Sequence, residues 1–343
     1  MLTEQVLEEI LSQIPGLTIG VVGDLFLDRY LDIDAALTEP SLETGLDAYQ
    51  VMRVRSYPGA AGTVINNLAA LGVKGVYPIS VIGDDGEGYE LLRALDQLNV
   101  VDRTWILQEG NRRTPTYTKP MLRSADQSAR ELNRLDIKNK ERLPVQAEVG
   151  VLKALDQAWK QVDALIVSDQ VSEADCGVVT AKVRERLAAL GEAKPDKVIL
   201  ADSRERIGSF CSVWLKPNQT ECRRAIQDAQ NRALPSCVQE LATRVSRPVF
   251  CTRGEQGILV VDPRPAPPRI IEVPAYPVSG PIDVVGAGDS TNAAIVCALA
   301  AGADLDQAAA FGCLVASITI QQIGTTGTAT PQQIRQCWQE IHS

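Results

Sequence analysis

The sequence predicts an α/β protein whose doubly wound, mainly parallel sheet carries a small antiparallel β lid. Short runs of apolar, β-branched residues alternate with helical patterns through most of the 343 residues, and this order is typical of a parallel sheet covered on both faces. Two segments, at approximately 30–57 and 102–122, instead alternate polar and apolar residues without a helix between them. We therefore expect one domain over residues 1–343, with these two segments inserted as the lid.

The individual elements follow from local patterns. Residues 1–14, MLTEQVLEEILSQI, repeat apolar residues at helical spacing, and the same spacing returns at 63–72, 88–99 and 176–191. The apolar run at 293–303 is too short to span a bilayer and is typical of a buried helix. Strands are expected where short apolar runs are bounded by Gly, Pro or Asp, at 17–24, 76–84, 163–169, 197–202, 213–218 and 247–254.

Most of the expected strands end in a polar residue. These residues are Asp24, Asp84, Asp169, Asp202 and Asn218. Ligands of open α/β sheets bind at the carboxyl ends of the strands, so the side chains are expected to meet in one crevice. The alternative for each is a loop residue that starts the next helix.

Composition excludes several classes of protein. The chain has 43 acidic and 34 basic residues, a net charge of −9 and no basic stripe, so no nucleic-acid partner is expected. Residues 1–14 lack the basic start and apolar centre of a signal peptide. We therefore expect a cytoplasmic protein that does not bind membranes.

Cysteine and histidine restrict the chemistry further. The eight cysteines form no CxxC pair, which favours reduced thiols over disulfides or zinc ligands. The single histidine, His342, is the penultimate residue. Its position argues against Ser/His/Asp and Cys/His nucleophilic sites and against His-based metal sites. Chemistry here must use carboxylates, Lys and Arg, and backbone amides, with or without a hard cation.

The stretch DVVGAGDST, residues 283–291, is the strongest candidate for a reaction centre. If Gly286, Ala287 and Gly288 form a tight turn into a helix, their amides and the helix dipole create a site for an anion such as phosphate. Asp289 would repel that phosphate unless it takes a proton from the attacking group. The alternative is that Asp289 only caps the following helix.

Two stretches carry candidate residues for a sugar. GDLFLDRY places Asp24 and Asp28 after a buried strand, where carboxylates can accept hydrogen bonds from sugar hydroxyls. PGAAGTVINNLAALG, residues 58–72, opens a helix with small residues that let a ligand approach the backbone closely.

Two further stretches carry candidate residues for a nucleotide and a metal. In KPNQTE, Asn218 and Glu221 form either a capping box or an oxygen cluster that orders magnesium-bound water. In TRGEQG, Thr252, Gly254 and Gly257 either wrap phosphate or turn a hairpin.

The order of these stretches resembles that of the ribokinase-like, or PfkB, carbohydrate kinases over nearly the whole chain. The matching strings are GD near the N-terminus, a Gly/Ala-rich helix start, NxxE, TxGxxG and DxxGAGD. VVGDLFLDRYL, RTPTYTKPM followed by ELNRLD, and IGTTGTAT are most similar to the kinase module of bacterial heptose kinases that act on D-glycero-D-manno-heptose 7-phosphate. No nucleotidyltransferase pattern follows, so a stand-alone kinase is expected.

This resemblance implies an ATP-dependent sugar kinase of ribokinase-like fold, with Asp289 as base and the amides of Gly286, Ala287 and Gly288 as anion hole. It also implies a homodimer through the lid, Asp283 near the phosphates and, in many members, a monovalent cation such as K⁺ close to it. The other implied roles are Mg²⁺ through water at Asn218 and Glu221, nucleotide phosphates at Thr252, Gly254 and Gly257, and sugar at Asp24, Asp28, Gly59, Ala60, Thr63 and Asn67.

One segment departs from the resemblance. Related heptose kinases read GGAAN where this chain reads GAAGT, with Ala60 for the second Gly and Thr63 for the Asn. That departure motivates an alternative function, a non-catalytic sugar- or nucleotide-binding regulator. A Rossmann dehydrogenase would need GxGxxG after the first strand, and VVGDLFLD lacks it. Four basic residues either meet a phosphate already on the substrate or form a solvated cluster: Arg112, Arg113, Lys119 and Arg134.

Overall fold

The structure is a computed structural model that describes residues 2–123, 129–228, 232–324 and 326–342. Its helices are α1 Glu4–Gln13, α2 Ala61–Leu71, α3 Gly86–Asp96, α4 Val145–Ala158, α5 Ala181–Ala193, α6 Gln219–Ala225, α7 Leu234–Val245, α8 Ala287–Ala300, α9 Leu305–Thr319 and α10 Pro331–His342. Its strands are β1 Thr18–Gly23, β2 Leu25–Asp34, β3 Glu39–Pro40, β4 Asp47–Ala48, β5 Val51–Ala60, β6 Gly75–Gly83, β7 Ile106–Glu109, β8 Thr116–Arg123, β9 Ala129–Glu131, β10 Leu135–Ile137, β11 Ala164–Asp169, β12 Ile199–Ser203, β13 Trp214–Leu215, β14 Val249–Thr252, β15 Ile258–Asp262 and β16 Arg269–Val273.

The large sheet has the strand order β16-β15-β14-β13-β12-β11-β1-β6-β7. Its centre is parallel, because β1 pairs in parallel with both β6 and β11, and its β14-β15-β16 edge is antiparallel. Successive side chains of a strand face opposite ways. Accordingly Ile19 and Val21 enter one hydrophobic core while Val22 enters the other. The expected doubly wound, mainly parallel sheet is therefore present.

Helices cover both faces of this sheet. Buried residues of α1, α2, α3, α8, α9 and α10 pack into one core, and those of α4, α5, α6 and α7 pack into the other. The expected helix at 176–191 begins later, at Ala181, because the Thr180 hydroxyl caps it and the preceding residues form a loop. No helix in the described residues combines the length and apolarity needed to cross a bilayer.

The lid is a second sheet with the order β10-β8-β2-β5, and β9 pairs with β8. The first chain segment of the lid, from β2 to β5, begins at Leu25 and ends at Ala60, so it extends beyond the expected limits of 30 and 57. The expectation for 102–122 was partly wrong, because β7 pairs in parallel with β6 of the large sheet and only β8 joins the lid. Alternation along one strand does not reveal which sheet that strand enters.

Candidate active site

The start of α8 presents backbone amides in a positively polarised position. Gly286 precedes the helix with φ 82° and ψ −2°, a left-handed conformation that favours glycine. The Ala287 amide donates to the Val284 carbonyl at 3.2 Å. First-turn amides lack intrahelical acceptors, so those of Gly288 and Asp289 are available to an anion.

Asp289 lies in the first turn of α8 and is half-buried. The residue at the N-cap position is Gly286, and no side chain caps the helix. The carboxylate of Asp289 has no hydrogen-bond partner in the described part of the chain. The capping alternative for Asp289 is therefore wrong, and its carboxylate is free for another role.

The electrostatic surroundings make Asp289 a weak acid. Burial raises the pKa of the Asp289 carboxyl to about 7, and the nearby carboxylates of Asp202 and Asp28 act in the same direction. Lys216 and Arg204 oppose this increase. A carboxylate with a pKa near neutrality is matched to accept and release a proton at physiological pH.

A buried ion pair supports this region, and its lysine, Lys216, is not among the residues that the sequence patterns indicated. The Lys216 side chain is only 4% exposed, and its Nζ lies 3.1 Å from Asp202 Oδ2. Asn292 Nδ2 of α8 donates to the same oxygen at 2.7 Å. A Cβ added at Gly288 would lie 3.7 Å from Lys216 Nζ. Lys216 thus places a positive charge behind the helix start. The signal was available, since a Lys directly after a buried strand must find a partner.

Asn218 and Glu221 form a capping box at the start of α6. Asn218 Oδ1 accepts the Glu221 amide at 2.9 Å, and Glu221 Oε2 accepts the Asn218 amide at 2.8 Å. Burial raises the pKa of Glu221, and Asp202 adds to this effect. No group of three or more His, Cys, Asp or Glu side chains in the described ranges is arranged to hold a metal directly. The second oxygen of Glu221 and the nearby Asp202 suit an ion that keeps several waters, as Mg²⁺ does.

The TRGEQG stretch turns the hairpin between β14 and β15, as one alternative expected. The Thr252 amide donates to the Pro217 carbonyl at 2.9 Å, which brings this turn beside Asn218. Gly257 has φ 82°, and a Cβ there would lie 2.1 Å from the Val273 carbonyl oxygen. Gly254 has φ 60° and open space around it. Gly257 is therefore required by packing, while Gly254 leaves room for a ligand.

Asp283 organises the loop before α8. Its Oδ1 accepts the Val285 amide at 3.0 Å and its Oδ2 accepts the Gly324 amide at 3.2 Å. The Asp283 amide in turn donates to the Ile320 carbonyl at 2.7 Å. These bonds join the loop before α8 to the residues that follow α9, close to the start of α8.

Asp28 lies on one face of the lid sheet together with Phe26 and Tyr30, because alternate residues of β2 share a face. Lys119 Nζ lies 3.5 Å from Asp28 Oδ2. Burial raises the pKa of Asp28, and Lys119 opposes this effect. A Cβ at Gly59 would lie 2.9 Å from Asp28 Cγ, so glycine makes room for this carboxylate. Asp28 also acts electrostatically on Asp289.

Asp24 has a different environment from Asp28. It is buried, and its carboxylate accepts the amides of Gln170, Val171 and Val178 at 3.2, 3.3 and 2.7 Å. Burial raises its pKa to about 6, and Asp169 adds to this effect. These backbone bonds favour a structural role for Asp24, which holds the loop after β11, over the expected contact with sugar hydroxyls.

The other polar residues at strand ends also separate into residues with a structural environment and residues near the candidate site. Asp169 is buried in an ion pair with Arg206 at 2.6 Å, and Asp84 is exposed. Of the five polar residues at the ends of the expected strands, only Asp202 and Asn218 lie beside Lys216 and the start of α6.

The GAAGT segment connects the lid to α2. Ala60 has φ 54° and ψ −118°, a conformation that glycine adopts readily and that strains other residues. Thr63 is buried, and its Cγ2 would lie 3.5 Å from a Cβ placed at Gly286. Asn67 Nδ2 donates to the Thr63 carbonyl at 2.9 Å, and Asn67 Oδ1 is buried without a partner among the described residues. Thr63 therefore borders the anion site, whereas Asn67 lies deeper in the protein.

The four basic residues considered for a substrate phosphate all have protein partners. Arg112 is buried and donates to the Cys176 carbonyl, and Arg113 pairs with Asp85 and Glu87. Lys119 pairs with Asp28, and Arg134 pairs with Asp136.

Comparisons with known proteins agree with this architecture. Curated relatives include the bifunctional protein HldE of Trichlorobacter lovleyi, 30% identical over 96% of this chain and 64% of the relative, and that of Rhodopseudomonas palustris, 30% identical over 93% and 63%. The chain thus spans less than two thirds of the length of these relatives.

Solved structures confirm the ribokinase-like fold. Ribokinase of Arabidopsis thaliana, complexed with ribose and ATP, is 17% identical, with a TM-score of 0.65 over 94% of this chain and 98% of that one. Phosphofructokinase-2 of Escherichia coli, in complex with potassium, is 18% identical, with a TM-score of 0.68 over 95% and 100%. The family model for the pfkB family carbohydrate kinases matches residues 25–333. The chain therefore belongs to the pfkB family of carbohydrate kinases.

Proposed function

We propose that this chain transfers the terminal phosphoryl group of ATP to a hydroxyl group of a sugar or sugar phosphate. The observation that carries the proposal is the Asp289 carboxylate, which has a pKa of about 7, caps nothing and follows the open amides of α8. Phosphoryl transfer depends mainly on positioning and electrostatic stabilisation, and it needs no histidine.

The proposed reaction is a direct displacement. The sugar hydroxyl oxygen attacks the terminal phosphorus of ATP, the bond to the ADP oxygen breaks, and Asp289 takes the hydroxyl proton. The amides of Gly288 and Asp289, the dipole of α8 and the Lys216 ammonium stabilise negative charge on the transferring group; the Ala287 amide, expected to contribute, already donates to the Val284 carbonyl. Because Lys216 is held by Asp202, its charge stays in place while the reaction proceeds.

On the sugar side, we assign hydroxyl binding to Asp28, with Gly59, Ala60 and Thr63 bounding the pocket. Asp28 is ion-paired with Lys119 and acts on Asp289, so it belongs to the same crevice. Asp24 is not assigned to the substrate, because three backbone amides occupy its carboxylate.

On the nucleotide side, we assign the phosphates to the turn at Thr252 and Gly254, and Mg²⁺ to waters held by Asn218 and Glu221. Bound Mg²⁺ would neutralise phosphate charge. Asn218 and Thr252 are neighbours, so the two groups of residues lie together. A monovalent cation such as K⁺ is proposed beside Asp283, where two amides already fix the loop.

The substrate class follows from the relatives only as a proposal. The curated relatives are named HldE. The resemblance of this chain's motifs to those of heptose kinases makes heptose 7-phosphate the first sugar to test. Ala60 and Thr63 differ from the pattern of heptose kinases, so a wider panel of sugars and sugar monophosphates is needed.

We also propose a homodimer through the lid. β5 is the edge strand of the lid sheet, and edge strands expose unpaired backbone groups. The region around it exposes large apolar side chains: Leu42, Leu46, Val51, Met52 and Val54. A second copy of this chain, placed edge to edge, would cover them.

The deciding experiment measures ADP release with Mg·ATP across the panel, for the parent and for Asp289→Asn. Transfer to one sugar, reduced roughly 10² to 10⁴-fold in the variant, is the expected result for loss of a general base. Equal turnover in both proteins would remove Asp289 from the role. ATP binding without transfer to any sugar would instead favour the alternative, a binding regulator on the same fold.

A further inference from the structure

The loop that follows β11, residues 170–178, lies where the lid meets the large sheet. The chain passes between the large sheet and the lid four times, and we call these passages the lid crossings. They lie at Asp24, 60–61, 110–115 and 138–144. Loop 170–178 contacts three of the crossings directly, and Asp24 connects it to the fourth.

Asp24 joins the loop to two of the lid crossings. Its carboxylate accepts the amides of Gln170, Val171 and Val178, so both ends of the loop converge on one side chain. The Asp24 carbonyl accepts the Ala61 amide at 3.0 Å. One residue therefore holds together the crossing from β1 to β2, the start of α2 and the loop.

The loop also binds the other two lid crossings. The Arg112 side chain donates to the Cys176 carbonyl, and the Leu143 amide donates to the Asp175 carbonyl at 2.8 Å. The Cys176 thiol lies 3.4 Å from the Lys140 carbonyl oxygen. Because the loop is bound to the crossings on both sides of β8–β10 as well, its position fixes how the lid sits on the large sheet.

A small hydrophobic cluster joins the loop to the lid beside Asp28. Val171 and Cys176 are buried against Phe26 of β2, and Tyr117 of β8 packs on them. Phe26 lies two residues before Asp28 on the same face of β2, and Tyr117 is the register partner of Asp28. A displacement of the loop would therefore move the residues that flank Asp28.

The contact between Asp24 and the loop has no spare room. Asp24 is 3% exposed. A Cβ added at Gly177 would lie 2.7 and 2.9 Å from the two carboxylate oxygens of Asp24 and 2.9 Å from Val171 Cβ. The φ of Gly177 is not positive, so glycine is needed here for space and not for backbone conformation. Close packing transmits displacement, so a change at either residue must move the loop.

The number of amides explains why a carboxylate stands at this buried position. Asp24 Oδ2 accepts two of the three loop amides and Oδ1 accepts the third. An asparagine side chain has one acceptor oxygen and one nitrogen that only donates. In either orientation its nitrogen would face at least one backbone N–H, and the loop would be held less firmly.

We propose that Asp24 is a positioning residue for phosphoryl transfer. Through loop 170–178 it fixes the lid, and with the lid Asp28 and the acceptor hydroxyl, relative to Asp289. The proposal rests on the proposed kinase function, and it assigns Asp24 no contact with sugar or ATP. Positioning of this kind matters because a misplacement of about 1 Å can cost roughly 10²-fold in rate.

Two variants disturb the contact by different means. Asp24→Asn keeps the size of the side chain and removes one acceptor, whereas Gly177→Ala keeps the carboxylate and adds a methyl group against it. Asp163→Asn is the matched control, because its carboxylate accepts the Thr18 amide at 2.7 Å at the opposite end of β1, away from the lid.

The kinetic test uses the sugar that the panel identifies, with Mg·ATP at pH 8, where a carboxyl with a pKa of about 6 is ionised. Both variants should lower kcat about 10- to 100-fold and raise KM for the sugar, while Kd for ATP stays within about twofold of that of the parent. The control should keep all three values. Parent-like kinetics in both variants, or ATP binding weakened as much as sugar binding, would overturn the positioning role.

Hydrogen exchange tests the connection between loop and lid without any sugar. The amides of Val178, Ala61 and Leu27 bond to the Asp24 carboxylate, the Asp24 carbonyl and the Pro115 carbonyl. All three should exchange about tenfold faster or more in both variants, because one opening exposes them together. The amide of Val21, in the centre of β1, should keep its rate.

The exchange result separates this proposal from the kinase function. Faster exchange confined to 170–178, with the Ala61 and Leu27 amides unchanged, would overturn the proposal whether or not the protein transfers phosphate. Joint acceleration in a protein that phosphorylates no sugar would support the control of the lid by Asp24 and refute the kinase function alone.

Discussion

Replacing Asp289 with Asn should make the protein more stable while it removes activity. Burial raises the pKa of this carboxyl from its ordinary 3.8 to about 7. The ionised form is therefore disfavoured in the folded protein and costs stability wherever the group is charged. At about 1.36 kcal/mol per pH unit, the ceiling of this cost is about 4 kcal/mol. Because the residue is only half-buried, solvent screening reduces it, and we expect about 2 kcal/mol.

The sign of the effect sets its pH dependence. Well below the ordinary pKa of 3.8, the carboxyl is protonated in both folded and unfolded chains, so Asp289→Asn should leave the free energy of unfolding unchanged. Between pH 4 and 7 the unfolded chain ionises first, and the parent loses stability relative to the variant. Above pH 7 the difference should reach its full value.

Urea unfolding at about pH 4.5 and pH 8 measures this difference directly. Asp196→Asn, at an exposed position, serves as the control and should change stability by less than about 0.5 kcal/mol at either pH. A variant that is no more stable than the parent at pH 8 would refute the claim that burial disfavours the charged carboxylate. The comparison of turnover between the parent and Asp289→Asn would remain a separate test of the catalytic role, since catalysis depends on the position of the carboxylate as well as on its pKa.

Three further predictions concern the proton, the backbone and the lid. The kcat/KM of the parent should rise about tenfold per pH unit below pH 7 and level off above it, because the base must be ionised. Lys216→Gln should move the midpoint of this pH profile to higher pH, because Lys216 lowers the pKa of Asp289. An unmoved midpoint in a folded variant would exclude that action of Lys216 on Asp289. Ala60→Gly should stabilise the protein by about 1 kcal/mol, since roughly 1–3 kcal/mol of strain outweighs glycine's cost of about 0.5–1 kcal/mol. Ala61→Gly, which removes a buried methyl group at the first residue of α2, should destabilise the protein, and a loss of stability in both variants would contradict strain at Ala60. Met52→Glu should halve the mass found by light scattering, and a parent that is already monomeric would contradict the lid dimer.

The strands and helices of the large sheet could be predicted from sequence because their signals are local. Apolar runs mark strands buried on both faces, and helical spacing marks the layers that cover them. Pairing between strands is not local, however. Residues 102–122 contain two strands with similar patterns, yet β7 extends the large sheet and β8 joins the lid. That difference depends on which neighbour each strand meets in space.

The same contrast between local and non-local signals applies to the candidate site. Gly286, Gly288 and the free Asp289 belong to one contiguous string at the start of α8, so spacing alone indicated an anion site beside a carboxylate. Asp24 and Asp28 could not be separated in this way, because both follow the same buried strand. Only the fold brings the loop after β11 over Asp24 and leaves Asp28 facing the crevice. Lys216 was missed because a charge is informative only when its partner is known.

The capping and metal interpretations of KPNQTE were posed as alternatives, but the structure makes them compatible. The capping box fixes Asn218 Oδ1 and Glu221 Oε2 on backbone amides and does not use the second Glu221 oxygen. Asp202 and Lys216 both act electrostatically on the Glu221 carboxyl. Rigid positioning is also what an ion bound through water needs, since its few protein contacts must be held in place. Helix capping therefore prepares the site that we propose for magnesium, and a motif with a known structural role is no evidence against a functional one.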